Sequence, residues 1–296
     1  MHPADPVDLE QARKVAVTAA EAAGVLLHDG ATDSTADLGI RTKDATGDVV
    51  TDLDLAAERL IVARLQAAFP GHRVVAEESG LVAAADNTAD ADSSWVWLVD
   101  PLDGTNNVAI GLTAYVVGIA LCCARRPVLG VVHDPVAGQT WAAIRGRGAR
   151  GPEDIALRPP GHPPPDGLVV AWTQGYRVDR RDTTARALRL VLESGSRRLL
   201  QLWAPLLSWV MLARGDIDGF VGYRAEAVDL PAGSLIAGEA GIVVCGLDGT
   251  PFDERIDLAA DDRSFVAGHP RVIPKLLAMV RAAGGVTVGG LSGQPD

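Results

Sequence analysis

The sequence predicts a layered protein of the α/β or α+β class, and two observations lead to it. β-prone apolar runs are followed by helix-period segments in both halves of the chain. Hydrophobic residues make up 48% of 296 positions, enough for a large core and too many for a disordered chain. Aromatics are only 4%, so aliphatic side chains must fill most of the interior. No internal repeat is visible. The length suits one compact unit, residues 1–296, with two lobes.

Taken in order, residues 7–28 read as an amphipathic helix, with Asp8 as N-cap and Gly30 as its stop. Residues 49–51 are β-prone, and Asp52 is expected to cap a second helix over 53–69, ended by Pro70 and Gly71. Residues 73–76 form a strand that delivers Glu77 and Glu78 at its end. Residues 82–94 are small, acidic and aperiodic, the composition of a mobile surface loop. A strand over 95–99 ends at Asp100. Residues 115–123 and 128–133 predict a hairpin turning at 125–127, and 139–144 a further strand. The Pro- and Gly-rich stretch 152–167 marks the boundary between lobes of about 1–151 and 168–284. Beyond it, strands are expected at 168–172, 219–222, 241–245 and 264–267. Helices are expected at 180–194, 204–214, 229–240 and 272–283, before a Gly-rich, frayed tail.

The formal charge of −11 argues against a nucleic-acid polymer as partner, since such binding rests on Lys and Arg neutralising phosphates. An acidic chain also repels a phosphorylated small molecule unless cations reverse the local field. Three cysteines, two of them the adjacent Cys122 and Cys123, make no disulfide framework and read as small buried hydrophobes. The first residues lack the apolar core of a signal peptide, and no apolar run approaches spanning length. A cytoplasmic, reduced setting without a membrane partner is therefore the expectation.

The strongest local pattern is WLVDPLDGTNN, residues 97–107. An apolar strand runs into Asp100, Pro101 and Gly104 force a tight turn, and Asp103 follows three residues on. Two carboxylates with the Leu102 carbonyl between them can offer three hard oxygen donors to one cation. The amides of Gly104 and Thr105, if they open a helix, would point at a phosphate. The bland alternative is an ordinary Asp-Gly turn in which Asp103 caps a helix. Three further acidic segments accompany it. Glu77 and Glu78 form a like-charge pair that needs a cation or solvent. Asp48, Asp52 and Asp54 surround the β-prone tripeptide, and Asp229 opens an Ala/Gly-rich helix as ligand or as N-cap. With no His or Cys spacing among them, oxygen donors select Mg²⁺ or Mn²⁺ over zinc.

In their order, GDVVTDLD, AEES, WLVDPLDGTNNV, GVVHDPVAG with GRGA, and VDLPAGSLIAGEAG resemble the inositol monophosphatase family of lithium-sensitive, magnesium-dependent phosphatases. The match covers roughly residues 40–245. The resemblance implies an αβαβα sandwich of the type shared with fructose-1,6-bisphosphatase, two or three Mg²⁺ ions, lithium inhibition and a homodimer. It implies that Glu77, Asp100 and the Leu102 carbonyl hold a first metal. Asp100, Asp103 and Asp229 would hold a second, and Glu77 with water a weaker third. Thr105 and Asp54 would orient and deprotonate the attacking water, and Asp103 with the Gly104 and Thr105 amides would line the phosphate site. Lys43 aligns with a basic residue on a mobile loop near that site.

The recognition end departs from the family pattern. Trp203–Ala204–Pro205 stands where members commonly carry Gly-Ser-Ala or Gly-Thr-Ala. Gly222 stands in place of a ring-contacting Glu, Val228 in place of Trp, and Val108 in place of Phe. Trp203 either packs in the core or reshapes the pocket, and Gly222, Tyr223, Arg224 and Glu226 become candidate specificity residues. The resemblance implies a phosphomonoesterase acting on inositol phosphate or a related sugar or cyclitol phosphate. Histidinol-phosphate and fructose-bisphosphate phosphatases share the metal core. A 3′-phosphoadenosine 5′-phosphate phosphatase fits less well, because Asn106 and Asn107 follow the inositol subgroup. A homologue of another class, which binds metal without turnover and acts through assembly, is the remaining reading.

Overall fold

A computed structural model describes residues 7–33, 37–43, 47–82, 94–159 and 165–286. Most of the expected acidic loop, residues 83–93, lies outside the described residues, as do 160–164 of the Pro-rich stretch and the tail from 287.

The first half runs α1 (Leu9–Thr32), β1 (Arg41–Thr42), β2 (Val49–Val50), α2 (Asp52–Ala68), β3 (Arg73–Ala76), β4 (Gly80–Val82) and β5 (Trp95–Asp103). It continues with α3 (Thr105–Ala109), β6 (Val116–Cys123), β7 (Arg126–Asp134), β8 (Gln139–Ile144) and β9 (Ala149–Arg150). The second half holds β10 (Val169–Gln174), α4 (Thr183–Gly195), β11 (Arg198–Leu200), α5 (Pro205–Arg214), β12 (Gly219–Tyr223) and α6 (Pro231–Glu239). It closes with β13 (Val243–Cys245), β14 (Phe265–Gly268) and α7 (Ile273–Ala282).

Among the described residues, β4-β3-β5-β6-β7-β8-β9 form one sheet and β11-β10-β12-β14-β13 another, so the chain passes between sheets across residues 151–168. Side-chain alternation builds the layers. Along β6, Val117, Ile119 and Leu121 face α1 and α2, whereas Val116, Ala120 and Cys122 face α5 and α6. The other face of the α5–α6 layer meets Phe220, Phe265 and Ala267 of the smaller sheet. Val170, Trp172, Val221 and Val266 point outward from that sheet onto α4 and α7. The result is the expected αβαβα sandwich. Burial pushes the Cys122 thiol up to about 12, so it behaves as an inert apolar group.

Several boundaries differ from the sequence expectation for identifiable reasons. Gly30 does not stop α1 but lies within it; a Cβ there would meet Leu53 Cδ2 of α2 at 2.3 Å, so the two helices approach too closely for any side chain at this position. The buried stripe Ala12, Ala16, Ala19, Ala20 and Ala23 keeps the same face flat. The cap of α2 is Thr51, not Asp52. Thr51 and Asp54 form a reciprocal capping box, and Asp52 is left outside to pair with Arg41 at 2.8 Å. β5 runs on to Asp103 instead of stopping at residue 99. Likewise α6 begins at Pro231, with no side-chain cap from Asp229.

Candidate metal centre and active site

The extension of β5 builds the site. Asp100 pairs with Gly118 and Asp103 with Val116, so three steps along β5 oppose two along β6. In a plain strand, residues three apart face opposite sides of the sheet. The single extra residue is a bulge that turns both carboxylates the same way. Gly104 then ends the strand with φ +108, and a Cβ there would sit 2.7 Å from the Ala114 carbonyl oxygen, so only glycine serves. Its amide and that of Thr105 open the short helix α3.

Asp229, on the segment before α6, completes the arrangement. Asp100, Asp103 and Asp229 each present a carboxylate oxygen, and these oxygens all lie within 4.8 Å of one another. All three side chains are buried or nearly so. Burial first, and then the charges of Glu77, Asp103 and Asp229, hold Asp100 well above the ordinary carboxylate range. Burial does the same to Asp103 and Asp229, with neighbouring carboxylates adding to it in both. For Asp103 the backbone amides of Leu206 and Leu207 oppose the rise. Such a cluster is costly as three bare anions and is relieved by a divalent cation. Its oxygen-only donors, with no His or Cys in the group, fit Mg²⁺ or Mn²⁺.

Asp103 does not cap α3, the helix that its turn opens and that has no side-chain cap bond, but it does cap a distant one. Its Oδ2 accepts from the Leu206 amide at 2.7 Å and the Leu207 amide at 3.4 Å, in the first turn of α5. One carboxylate therefore joins the metal turn to a helix from the second half of the chain.

A carboxylate–hydroxyl pair, Asp54 and Thr105, lies beside the cluster. Thr105 Oγ1 is 2.7 Å from Asp54 Oδ1 and 2.9 Å from the Leu102 carbonyl oxygen, both of them acceptors for its proton. Thr51 holds the other oxygen of Asp54 through its amide, at 2.8 Å, and its hydroxyl. Burial pushes the Asp54 carboxyl up, against the hydrogen bonds from Thr51 and Thr105.

Glu77 faces the same cavity of about 380 Å³, together with Lys43 and the three aspartates. The Lys43 ammonium lies 2.8 Å from Glu77, 2.6 Å from Glu78 and 3.6 Å from Asp48. Burial disfavours the Lys43 charge, but Glu77, Glu78 and Asp48 outweigh it and hold its pKa above the usual lysine value. Lys43 is thus a tethered counter-ion at the mouth of the acid cluster.

The specificity candidates separate. Glu226 lines this cavity and accepts from the Tyr176 amide at 3.0 Å. Trp203 is 51% exposed, which excludes the core-packing alternative. Gly222 is in the core: a Cβ on it would fall 2.2 Å from the Phe265 ring, so no side chain from this position reaches the site. Tyr223 and Arg224 line a different cavity that shares no lining residue with the acidic one, and Arg224 is held by Asp261 at 2.7 Å. Sequence reasoning missed Tyr176 and Arg177, which follow β10 and line this cavity, and Arg180, which lines a cavity beside it. The available signal was an aromatic and basic cluster at a strand's C-terminal end, where open α/β sheets place ligands. Asn107 was also missed as a structural clamp; its Nδ2 donates to the carbonyls of Ala114 at 2.6 Å and Leu202 at 2.5 Å.

Comparison with known proteins agrees with this geometry. A Pseudomonas aeruginosa protein named Nus factor SuhB is 32% identical over 247 residues, 82% of this chain and 86% of that protein. The solved extragenic suppressor protein suhB from Bartonella henselae is 27% identical, with a TM-score of 0.76 over 90% of this chain and 97% of that one. The inositol monophosphatase of Anabaena, 24% identical, shares the fold with a TM-score of 0.76 over 93% of this chain and 97% of its own. Residues 8–286 match the family model described as the inositol monophosphatase family. A nearly full-length match and a convergent acid cluster lead to one statement: the chain belongs to the inositol monophosphatase family.

Proposed function

We propose that this protein is a magnesium-dependent phosphomonoesterase that hydrolyses a small phosphorylated metabolite with an activated water. The observation that carries the reading is the meeting of Asp100, Asp103 and Asp229 beside the Asp54–Thr105 pair. Glu77, Asp100, the Leu102 carbonyl, Asp103 and Asp229 would hold Mg²⁺, which would neutralise charge on phosphoryl oxygens and lower the pKa of a bound water.

The chain's own groups do the rest. Thr105 Oγ1 takes a proton from the incoming water and passes its own to Asp54 Oδ1. Burial makes Asp54 more basic than an ordinary aspartate, the direction a general base requires. As the water oxygen bonds to phosphorus, the ester P–O bond breaks, the leaving alkoxide oxygen takes a proton from solvent water, and Asp54 returns the proton it received to solvent. The Gly104 and Thr105 amides orient the phosphate, and Lys43 adds positive charge at the mouth. No side chain serves as covalent nucleophile. Inositol monophosphate or a related sugar or cyclitol phosphate is the substrate that family membership favours. Histidinol, nucleotide and fructose-bisphosphate esters compete on the same scaffold.

A second reading, a homologue that acts through assembly without turnover, is favoured by relatives that carry the name Nus factor SuhB. A panel of p-nitrophenyl, inositol, sugar and nucleotide phosphates with Mg²⁺ separates the two. Hydrolysis that Asp54→Asn abolishes supports the enzyme; an intact panel supports the second reading.

A further inference from the structure

Next to the acid cavity, and sharing Tyr176, Glu226 and Asp229 with it, lies a second cavity of about 260 Å³. Trp203 forms part of its wall under unusual terms. Its backbone has φ +53, the left-handed region that favours glycine and costs a bulky residue roughly 1 kcal/mol or more. Burial does not offset that cost, because half of the side chain is exposed.

The strained conformation is enforced from both sides by the metal turn. Asn107 Nδ2 grips the Leu202 carbonyl at 2.5 Å, and Asp103 Oδ2 grips the Leu206 amide at 2.7 Å. Backbone strain of this kind persists only where its surroundings over-determine it, and it concentrates at ligand sites. Further features point to a ring as the occupant. Tyr176 is 43% exposed in the same cavity. The indole nitrogen of Trp172, another wall residue, is buried without a hydrogen-bond partner in the described protein. Gln174, Gln201 and Arg180 add polar groups to the wall. A flat π-ring on an indole face gains stacking beyond its area burial, and the polar groups around it suit acceptors carried on such a ring.

We infer that the leaving-group end of this site receives a flat aromatic or heteroaromatic ring stacked on Trp203, so that the preferred phosphate ester carries such a ring. The inference rests on the phosphomonoesterase reading for its turnover assay and has a binding assay of its own.

Two matched pairs of compounds test it. The esters are 2-phenylethyl and 2-cyclohexylethyl phosphate, which differ in ring flatness at similar size. The non-hydrolysable partners are 3-phenylpropyl- and 3-cyclohexylpropylphosphonate, titrated calorimetrically in Mg²⁺. In the wild type the phenyl compound is favoured in kcat/KM and in Kd. Trp203→Ala reduces that preference roughly 2- to 12-fold, the range expected for one aromatic pair, and Trp203→Phe restores most of it. Trp203→Gly, which relieves the left-handed strain, loses the preference with Tm unchanged or raised; a purely structural tryptophan would lower Tm. Equal phenyl and cyclohexyl preference before and after Trp203→Ala overturns the inference, as does faster turnover of inositol 1-phosphate that Trp203→Ala leaves unchanged. If no ester is hydrolysed but the phosphonates are discriminated through Trp203, the ring subsite stands and the phosphatase reading falls.

Discussion

Replacing Gly130 with alanine is expected to disturb the acid cluster from behind. Gly130 lies on β7, where a Cβ would fall 2.6 Å from the Ala232 carbonyl oxygen and 3.0 Å from its Cα. Both are backbone atoms, so no rotamer change relieves the clash. Ordinary contact begins at 3.4 Å, and 3.4 − 2.6 requires α6 to retreat by about 0.8 Å. Overpacking of this kind costs about 1–3 kcal/mol. At roughly 2–4 °C per kcal/mol for chains somewhat shorter than this one, Tm falls by roughly 2–12 °C. Ala232 is the second residue of α6 and follows Asp229 by three positions, so the retreat carries Asp229 away from Asp100 and Asp103. A displacement near 1 Å at a catalytic constellation costs roughly 100-fold. Differential scanning fluorimetry, Mg²⁺ calorimetry and kcat/KM read the three effects. An alanine variant with wild-type Tm and wild-type Mg²⁺ affinity would show that α6 is not seated on β7 as described.

Three further predictions concern the site itself. Thr105→Ala lowers kcat by roughly 10²–10⁴, the usual scale of general-base assistance, while Thr105→Ser retains most of it; an unchanged kcat in Thr105→Ala removes Thr105 from the proton path. Mg²⁺ at 100 times its Kd stabilises the fold by about 2.7 kcal/mol, and Asp229→Asn removes most of that gain, as thermal melts with and without EDTA will show. In EDTA the sign with pH follows from the raised carboxylates. Folded Asp100, Asp103 and Asp229 bind protons more tightly than the unfolded chain, so stability falls as pH rises above the ordinary aspartate range. A metal-free Tm higher at pH 8 than at pH 5 would contradict the mutual repulsion. Finally, Lys43→Met removes the tethered cation from Glu77 and tightens Mg²⁺ binding about fivefold, the equivalent of one ion pair of about 1 kcal/mol, while KM for any ester rises; weaker Mg²⁺ binding would overturn this.

Asp100 and Asp103 stood out from a local pattern, an apolar strand, a breaker and an acid, whereas Asp229 joined them only through the resemblance; the structure brings these three carboxylates together. The layer order was legible from the resemblance, and the period-2 alternation of β6 supports it. What could not be read are the events that depend on a partner distant in sequence. The bulge that aligns Asp100 with Asp103 is set by pairing with Val116–Gly118, and Asp103's hold on α5 spans a hundred residues of chain. Gly30 reads as a helix stop until Leu53 is seen filling its place, and Gly222 reads as a pocket position until Phe265 does the same. Trp203 is ambiguous between core and surface for a related reason. Its left-handed backbone, flanked by residues that Asn107 and Asp103 hold from another segment, goes with an outward side chain that the sequence does not reveal.

Asp103 serves two parts of the molecule at once, contributing a carboxylate oxygen to the acid cluster and accepting through Oδ2 from the first turn of α5. Electron density that this carboxylate gives to an ion is taken from its strength as a hydrogen-bond acceptor. The amides of Leu206 and Leu207 therefore become reporters of ion occupancy, and their exchange with solvent deuterium would register loading of the centre from across the seam between the sheets.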